Sequence, residues 1–103
     1  MDVTERRERL REILAGDRCV YPALVSDPIS ARIAEDLGFE LAMLIPSGAS
    51  GPVLGAPDLL LLTLSEFAQQ IRRICRASGI GLIVSAHEGY GNALNVMRTV
   101  EEL

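Results

Sequence analysis

Four aromatic side chains in 103 residues, with no tryptophan among them, cannot build the stacking platforms on which single-stranded nucleic acid is held. Charge points the same way. Ten basic residues stand against 14 acidic ones, the formal net charge is −4, and no basic stripe is present. Nucleic acid is therefore not an expected partner. Cysteine is scarce too: Cys19 and Cys75 lie far apart and match no metal-ligand spacing, the pattern of reduced thiols in a cytoplasmic protein. The N-terminal segment Glu5-Arg6-Arg7-Glu8-Arg9 is charged and lacks the apolar core of a signal peptide. No apolar run, Leu59-Leu60-Leu61-Leu62 included, is long enough to span a bilayer, so no membrane association is expected.

What the chain does have is aliphatic residues. Hydrophobic content is 49%, enough to bury the core of one domain, and the length allows no more than one. Asp2 and Glu5 have capping-box spacing, and Leu10, Ile13 and Leu14 form an apolar stripe ending at Gly16, so a surface helix is expected over residues 3–15. Residues 20–25 read as a first strand, with Pro22 demanding an edge position or a start after it. Asp27-Pro28 is a helix-start signal; residues 28–37 follow as a helix presenting Ile29, Ile33 and Leu37 on one face. Residues 39–45 are a second strand without polar alternation, as in a sheet covered on both faces.

Residues 46–57 are dense in Gly, Pro and Ser and read as a long loop. Within it, Ser47-Gly48 offers a hydroxyl and unobstructed amides suited to an anion; an ordinary connection is the other reading. Leu59–Leu62 is either a helical turn or a buried segment. A helix opens at Thr63 or Ser65, buries Phe67, Ile71 and Ile74, turns Gln69, Arg72, Arg73 and Arg76 to solvent and stops at Gly79. Residues 80–84 are the third strand. Asn92 caps a last helix carrying Leu94, Met97, Val100 and Leu103.

Alternating strands and helices define a parallel α/β protein. Three strands leave two open edges, an arrangement that invites pairing with another copy or a complementing fragment. The last helix has no stop signal before Leu103, which favours a portion of something larger. Between the third strand and Asn92 lies Ser85-Ala86-His87-Glu88-Gly89-Tyr90-Gly91, at the strand end where ligands of parallel α/β folds bind. His87, the only histidine, can act there as a base or ligand with Glu88 beside it. A partly exposed turn histidine is the alternative.

Four segments also carry a resemblance. Asp27–Glu40, Val53–Asp58, Leu62–Phe67 and Gly89–Val100 are similar to the isocitrate lyase/phosphoenolpyruvate mutase superfamily, and most similar to its oxaloacetate decarboxylases. The resemblance covers nearly the whole chain. It implies the N-terminal helix and first three units of a (β/α)8 TIM barrel, one partial-barrel domain over residues 1–103, acting with Mg2+ on a small 2-oxo acid. It further implies substrate binding at Ser47, Gly48, Tyr90 and Asn92 and metal positions at Asp58, Ser85 and His87, while catalysis at His87 and Glu88 is expected from the turn's own residues.

Several residues depart from that pattern. Ser85-Ala86-His87-Glu88 stands where Asp-Ala-Asp-His is usual, so a neutral hydroxyl and an imidazole replace two acidic groups. Ile45-Pro46 replaces a Gly-Gly pair, and Ser26 replaces Phe. Mg2+ prefers carboxylate and water oxygens, while imidazole suits transition ions. The expected function is a fragment or variant of a Mg2+-dependent 2-oxo acid lyase, impaired as an isolated chain. The alternative is a non-catalytic or engineered partial barrel that self-associates through its sheet edges.

Overall fold

Four of the five helices among the described residues begin where a short polar side chain catches free backbone amides. The structure, a computed structural model, describes residues 2–103. α1, Val3–Ala15, starts with the expected capping box: Asp2 accepts from the backbone and Glu5 accepts back from the Asp2 amide. Its stripe is only half inward, because Leu14 is exposed while Leu10 and Ile13 are half-buried. Gly16 closes it in extended rather than left-handed backbone. α2, Pro28–Asp36, starts with a second box between Asp27 and Ser30, with Pro28 in the first turn.

The strands are β1 (Ala23–Leu24), β2 (Leu41–Leu44) and β3 (Gly81–Val84), all parallel in the order β1-β2-β3. All three are shorter than expected. β1 begins only after Pro22 and lies at the edge, since proline cannot donate to a ladder. Ala42 pairs with Leu82 and Leu44 with Val84, so these four share a face. Against that face α4, Leu64–Ala77, packs Phe67, Ile71 and Ile74. Phe67 is fully buried, and burial of such a side chain contributes about 2–3 kcal/mol. On the opposite face Leu10 and Leu41 close over Gly81.

Residues 46–54, expected as loop, are a helix. α3, Pro46–Leu54, carries Pro52 inside and ends at Gly55 in the left-handed conformation. Gly and Pro penalise an isolated helix, yet here burial of Ala49 and Ser50, and a hydrogen bond from Ser50 Oγ to the Pro57 carbonyl (3.1 Å), hold it in place. Leu59–Leu62 is irregular, and of the four only Leu62 is buried. α4 is capped by Thr63 and closes at Ser78, one residue before Gly79.

α5, Ala93–Glu102, is capped by Asn92 as expected. Its buried contact is Thr99, whereas Leu94, Met97 and Val100 are exposed. The same holds on α2. Ile29, Ile33 and Leu37 are 71, 53 and 72% exposed, and the buried residues are Ala31 and Ala34. Periodicity identified these apolar faces but not whether a neighbour covers them. No helix among the described residues is long and apolar enough to cross a membrane.

At the N-terminal ends of the strands, Arg6 reaches from α1 to the end of α4. Its guanidinium donates to the Cys75 and Ser78 carbonyls at 2.6 and 2.7 Å, satisfying groups the helix leaves unpaired and placing a cation at its negative pole.

Candidate functional site at the C-terminal rim

At the opposite ends of the strands, the turn after β3 is shaped by two glycines and two strained neighbours. Gly89 and Gly91 have φ of 91° and 147°. A Cβ at Gly89 would overlap the Val96 side chain, and one at Gly91 the Asn95 carboxamide. Thr99 Oγ1 donates to the Gly89 carbonyl at 2.7 Å and ties the turn to α5.

Among the described residues, non-glycine positions with positive φ are Leu60 (59°), His87 (48°) and Tyr90 (65°). All three line one cavity of about 30 Å³, together with Pro46, Asp58, Leu62 and Glu88. Left-handed backbone at non-glycine residues costs about 1–3 kcal/mol each and concentrates where a structure serves a ligand.

Within this cavity His87 Nε2 stands 3.7 Å from Asp58 Oδ2, with the two side chains 32 and 26% exposed. The Tyr90 ring packs 6.3 Å from that of Phe67. Its hydroxyl is buried and has no hydrogen-bond partner. Burial first, and then the Glu88 and Asp58 carboxylates, push the Tyr90 phenol above its ordinary value.

The structure thus brings together four of the expected residues, Asp58, His87, Glu88 and Tyr90. It sets Ser47 and Gly48 apart, in a cleft of about 300 Å³ with Leu24, Val25, Ser26 and Ile45. There the Gly48 amide donates to the Ile45 carbonyl at 2.9 Å, which closes the first turn of α3. Ser85 follows β3, exposed, its amide bonded to the Leu44 carbonyl at 3.1 Å, and lines neither space. The Asn92 side chain is engaged as a cap, accepting from the Leu94 and Asn95 amides. Leu60 is the residue that sequence reasoning missed. Nothing within four consecutive leucines distinguishes the one whose backbone turns left-handed.

The donor set does not fit the Mg2+ that the resemblance implies. Mg2+ requires octahedral oxygen coordination, commonly one or two carboxylates with several waters. Asp58 here faces the His87 imidazole, Glu88 is the other carboxylate that lines the cavity, and Ser85, a neutral hydroxyl, lies outside it. Among the described residues no group of three or more His, Cys, Asp or Glu side chains is disposed to hold a metal ion.

Three parallel β/α units with polar residues at their C-terminal ends are the arrangement that opens a barrel-type α/β scaffold. The pattern of the phosphoenolpyruvate phosphomutase family matches residues 10–103, and the chain belongs to that family. An oxaloacetate decarboxylase from Rhodopseudomonas palustris (strain BisB18) is 60% identical over 98 residues, 95% of this chain and 34% of the relative. One from Bradyrhizobium sp. (strain BTAi1 / ATCC BAA-1182) is 57% identical over 103 residues, 100% of this chain and 36% of the relative. Among solved structures, an oxaloacetate acetylhydrolase superposes with a TM-score of 0.85 at 33% identity, covering 92% of this chain and 34% of its own. A 2,3-dimethylmalate lyase of the PEP mutase/isocitrate lyase superfamily gives 0.80 at 30% identity, with 96% and 35% covered. The chain spans about a third of the length of the relatives it matches, and corresponds to the N-terminal part of these TIM-barrel lyases.

Proposed function

We propose that this chain is one partial-barrel domain of a cytoplasmic 2-oxo acid lyase of the oxaloacetate decarboxylase type, able to bind a small 2-oxo acid at the rim but impaired in cleaving it. The observation that carries this reading is 57–60% identity to oxaloacetate decarboxylases over 95–100% of the chain, joined to the cluster of strained and polar residues at the strand ends.

In this reading the Ser47 hydroxyl and amide hold a carboxylate at the start of α3, where the helix dipole favours an anion. Gly48 contributes by leaving that approach open rather than by its amide, which is already bonded. His87 Nε2 and the Tyr90 hydroxyl are the donors that face the 2-oxo group, and Glu88 orients the turn around them. Loss of CO2 from oxaloacetate breaks the C–C bond and leaves its electron pair as an enolate, which then takes a proton to become pyruvate. Preorganised positive charge at the enolate oxygen is the main source of acceleration in such steps. The chain contains no lysine, so an imine with the 2-oxo group is not open to it, and its rim offers few donors against two carboxylates. That balance makes binding easier than chemistry.

The test is calorimetric titration with oxalate, in parallel with an assay of pyruvate formed from oxaloacetate. Saturable oxalate binding, with pyruvate at the buffer background, is expected. No binding would overturn the proposal; pyruvate well above background would overturn the impairment.

A second reading has its own observation. Ile29, Ile33 and Leu37 on α2, and Leu94, Met97 and Val100 on α5, are exposed, and the three-stranded sheet has two open edges. Surfaces of this kind favour self-association or pairing with a complementing barrel fragment. Light scattering across micromolar concentrations tests it: a mass that rises above 11.1 kDa supports association, and a constant monomer mass removes it.

A further inference from the structure

We infer that the rim of this chain is a metal-free anion site, in which the His87 imidazole occupies the place beside Asp58 that a divalent cation would need. The inference rests on the site assigned above. It departs from the family's expected dependence on Mg2+.

Two features lead to it. The first is the donor set. His87 Nε2 stands 3.7 Å from Asp58 Oδ2, where a divalent ion at Asp58 would need oxygen ligands. Imidazole is a poor ligand for Mg2+, and Ser85 lies outside the cavity. Among the described residues no three His, Cys, Asp or Glu side chains, Glu88 of the same cavity included, are disposed to hold a metal ion. The second is backbone. His87 and Tyr90 hold left-handed φ values in a turn closed by the Gly89 amide bonding the Ala86 carbonyl at 2.8 Å, and by packing of the turn on Val96. The imidazole is thus carried to Asp58 by a constrained turn, and swinging it out requires the turn to change conformation.

The consequence for ligand choice is direct. A Mg2+-dependent site takes a 2-oxo acid as a chelate, through its carboxylate and keto oxygens together. A site without the ion takes the free anion through hydrogen bonds, here from His87 Nε2 and the unpartnered Tyr90 hydroxyl. Added Mg2+ therefore acts in opposite senses in the two cases. It strengthens anion binding where the metal is part of the site, and weakens it where the metal merely sequesters the anion in solution.

The decisive experiment is a titration of the full chain with Mn2+ followed by electron paramagnetic resonance, which counts bound ion without any activity. No saturable Mn2+ site is expected at millimolar ion. The double variant Ser85→Asp/His87→Asp, confirmed as folded by circular dichroism, is expected to bind one Mn2+ per chain with affinity raised by about tenfold or more, the scale on which changes to a ligand shell move metal affinity. One Mn2+ per wild-type chain, displaced by Mg2+ and lost in Asp58→Asn, would overturn the inference whether or not the double variant folds. A folded double variant that binds no Mn2+ would overturn the assignment of the effect to Ser85 and His87. In the anion titration, added Mg2+ is expected to lower apparent affinity, and an increase would overturn the inference. Failure of the anion to bind at all would overturn the proposed function and the anion part of this inference together, and the Mn2+ titration would then decide only whether the rim is metal-free.

Discussion

The two ends of the sheet are built on opposite terms. At the N-terminal ends, long-range bonds tie the elements together: Arg6 donates to two carbonyls at the end of α4, although its Nε is buried without a partner, and the Glu35 carboxylate accepts the Gly79 amide at 3.1 Å. At the C-terminal ends, three non-glycine residues hold left-handed backbone, and the Tyr90 hydroxyl is buried without a partner. The difference separates an end that supplies stability from one that spends it. Strain and unmet hydrogen bonds persist only where the surrounding scaffold holds them.

The contrast is sharpest under substitution. Arg6→Ala removes two charge-assisted bonds to helix carbonyls and is expected to cost about 2 kcal/mol, read as a lower urea midpoint. Little change would erase the distinction between the ends. Tyr90→Phe at the rim is expected to do the reverse, raising stability by about 1 kcal/mol because an unsatisfied buried hydroxyl is removed, while weakening oxalate binding.

The same tyrosine gives a pH signature. Its folded value is raised, so the stability it contributes is complete below the ordinary phenol value of about 10. That contribution is lost as pH rises from there through the raised folded value. Wild type should weaken across this alkaline range more than Tyr90→Phe, as urea midpoints at successive pH values would show. Leu60→Gly should stabilise by a smaller amount, about 0.5 kcal/mol, since relief of left-handed strain is partly offset by the freer unfolded chain. A loss in thermal melts would mean that Leu60 earns its conformation through packing.

The smallest effect belongs to an exposed ion-pair network beside Arg6. Hydrogen bonding to Arg72 first, and then the charges of Arg72 and Arg98, hold the Glu102 carboxyl below its ordinary value. Its contribution is present above the ordinary carboxylate value and lost as pH falls through the lower folded one. Glu102→Gln should slightly flatten the acid limb of the stability profile.

Helix starts were legible because caps are local. Asp2 with Glu5, Asp27 with Ser30, Thr63 and Asn92 each bond within three residues of themselves. Strand positions were legible as apolar runs, but their ends were not, because pairing stops where the neighbour's ladder stops. α3 was illegible: its Gly, Pro and Ser composition opposes a helix, and what holds it is burial of Ala49 and Ser50. The turn after β3 could be read as the place of a candidate site. Its content could not, because the meeting of Asp58 with His87 spans 29 residues of chain, and positive φ at His87 and Tyr90 is set by packing.

The bonds that support the rim share one property. Gln70 Nε2 donates to the Ser26 carbonyl at 2.8 Å, Thr99 Oγ1 to that of Gly89 at 2.7 Å, and Ser50 Oγ to that of Pro57 at 3.1 Å. In each, a scaffold side chain grips the rim by its main chain, which every amino acid has in common. Ser26, a position where the family usually carries Phe, can therefore exchange its side chain without releasing the bond that holds it. A scaffold attached in this way lets the chemistry of its rim drift through sequence space while the fold beneath keeps its identity.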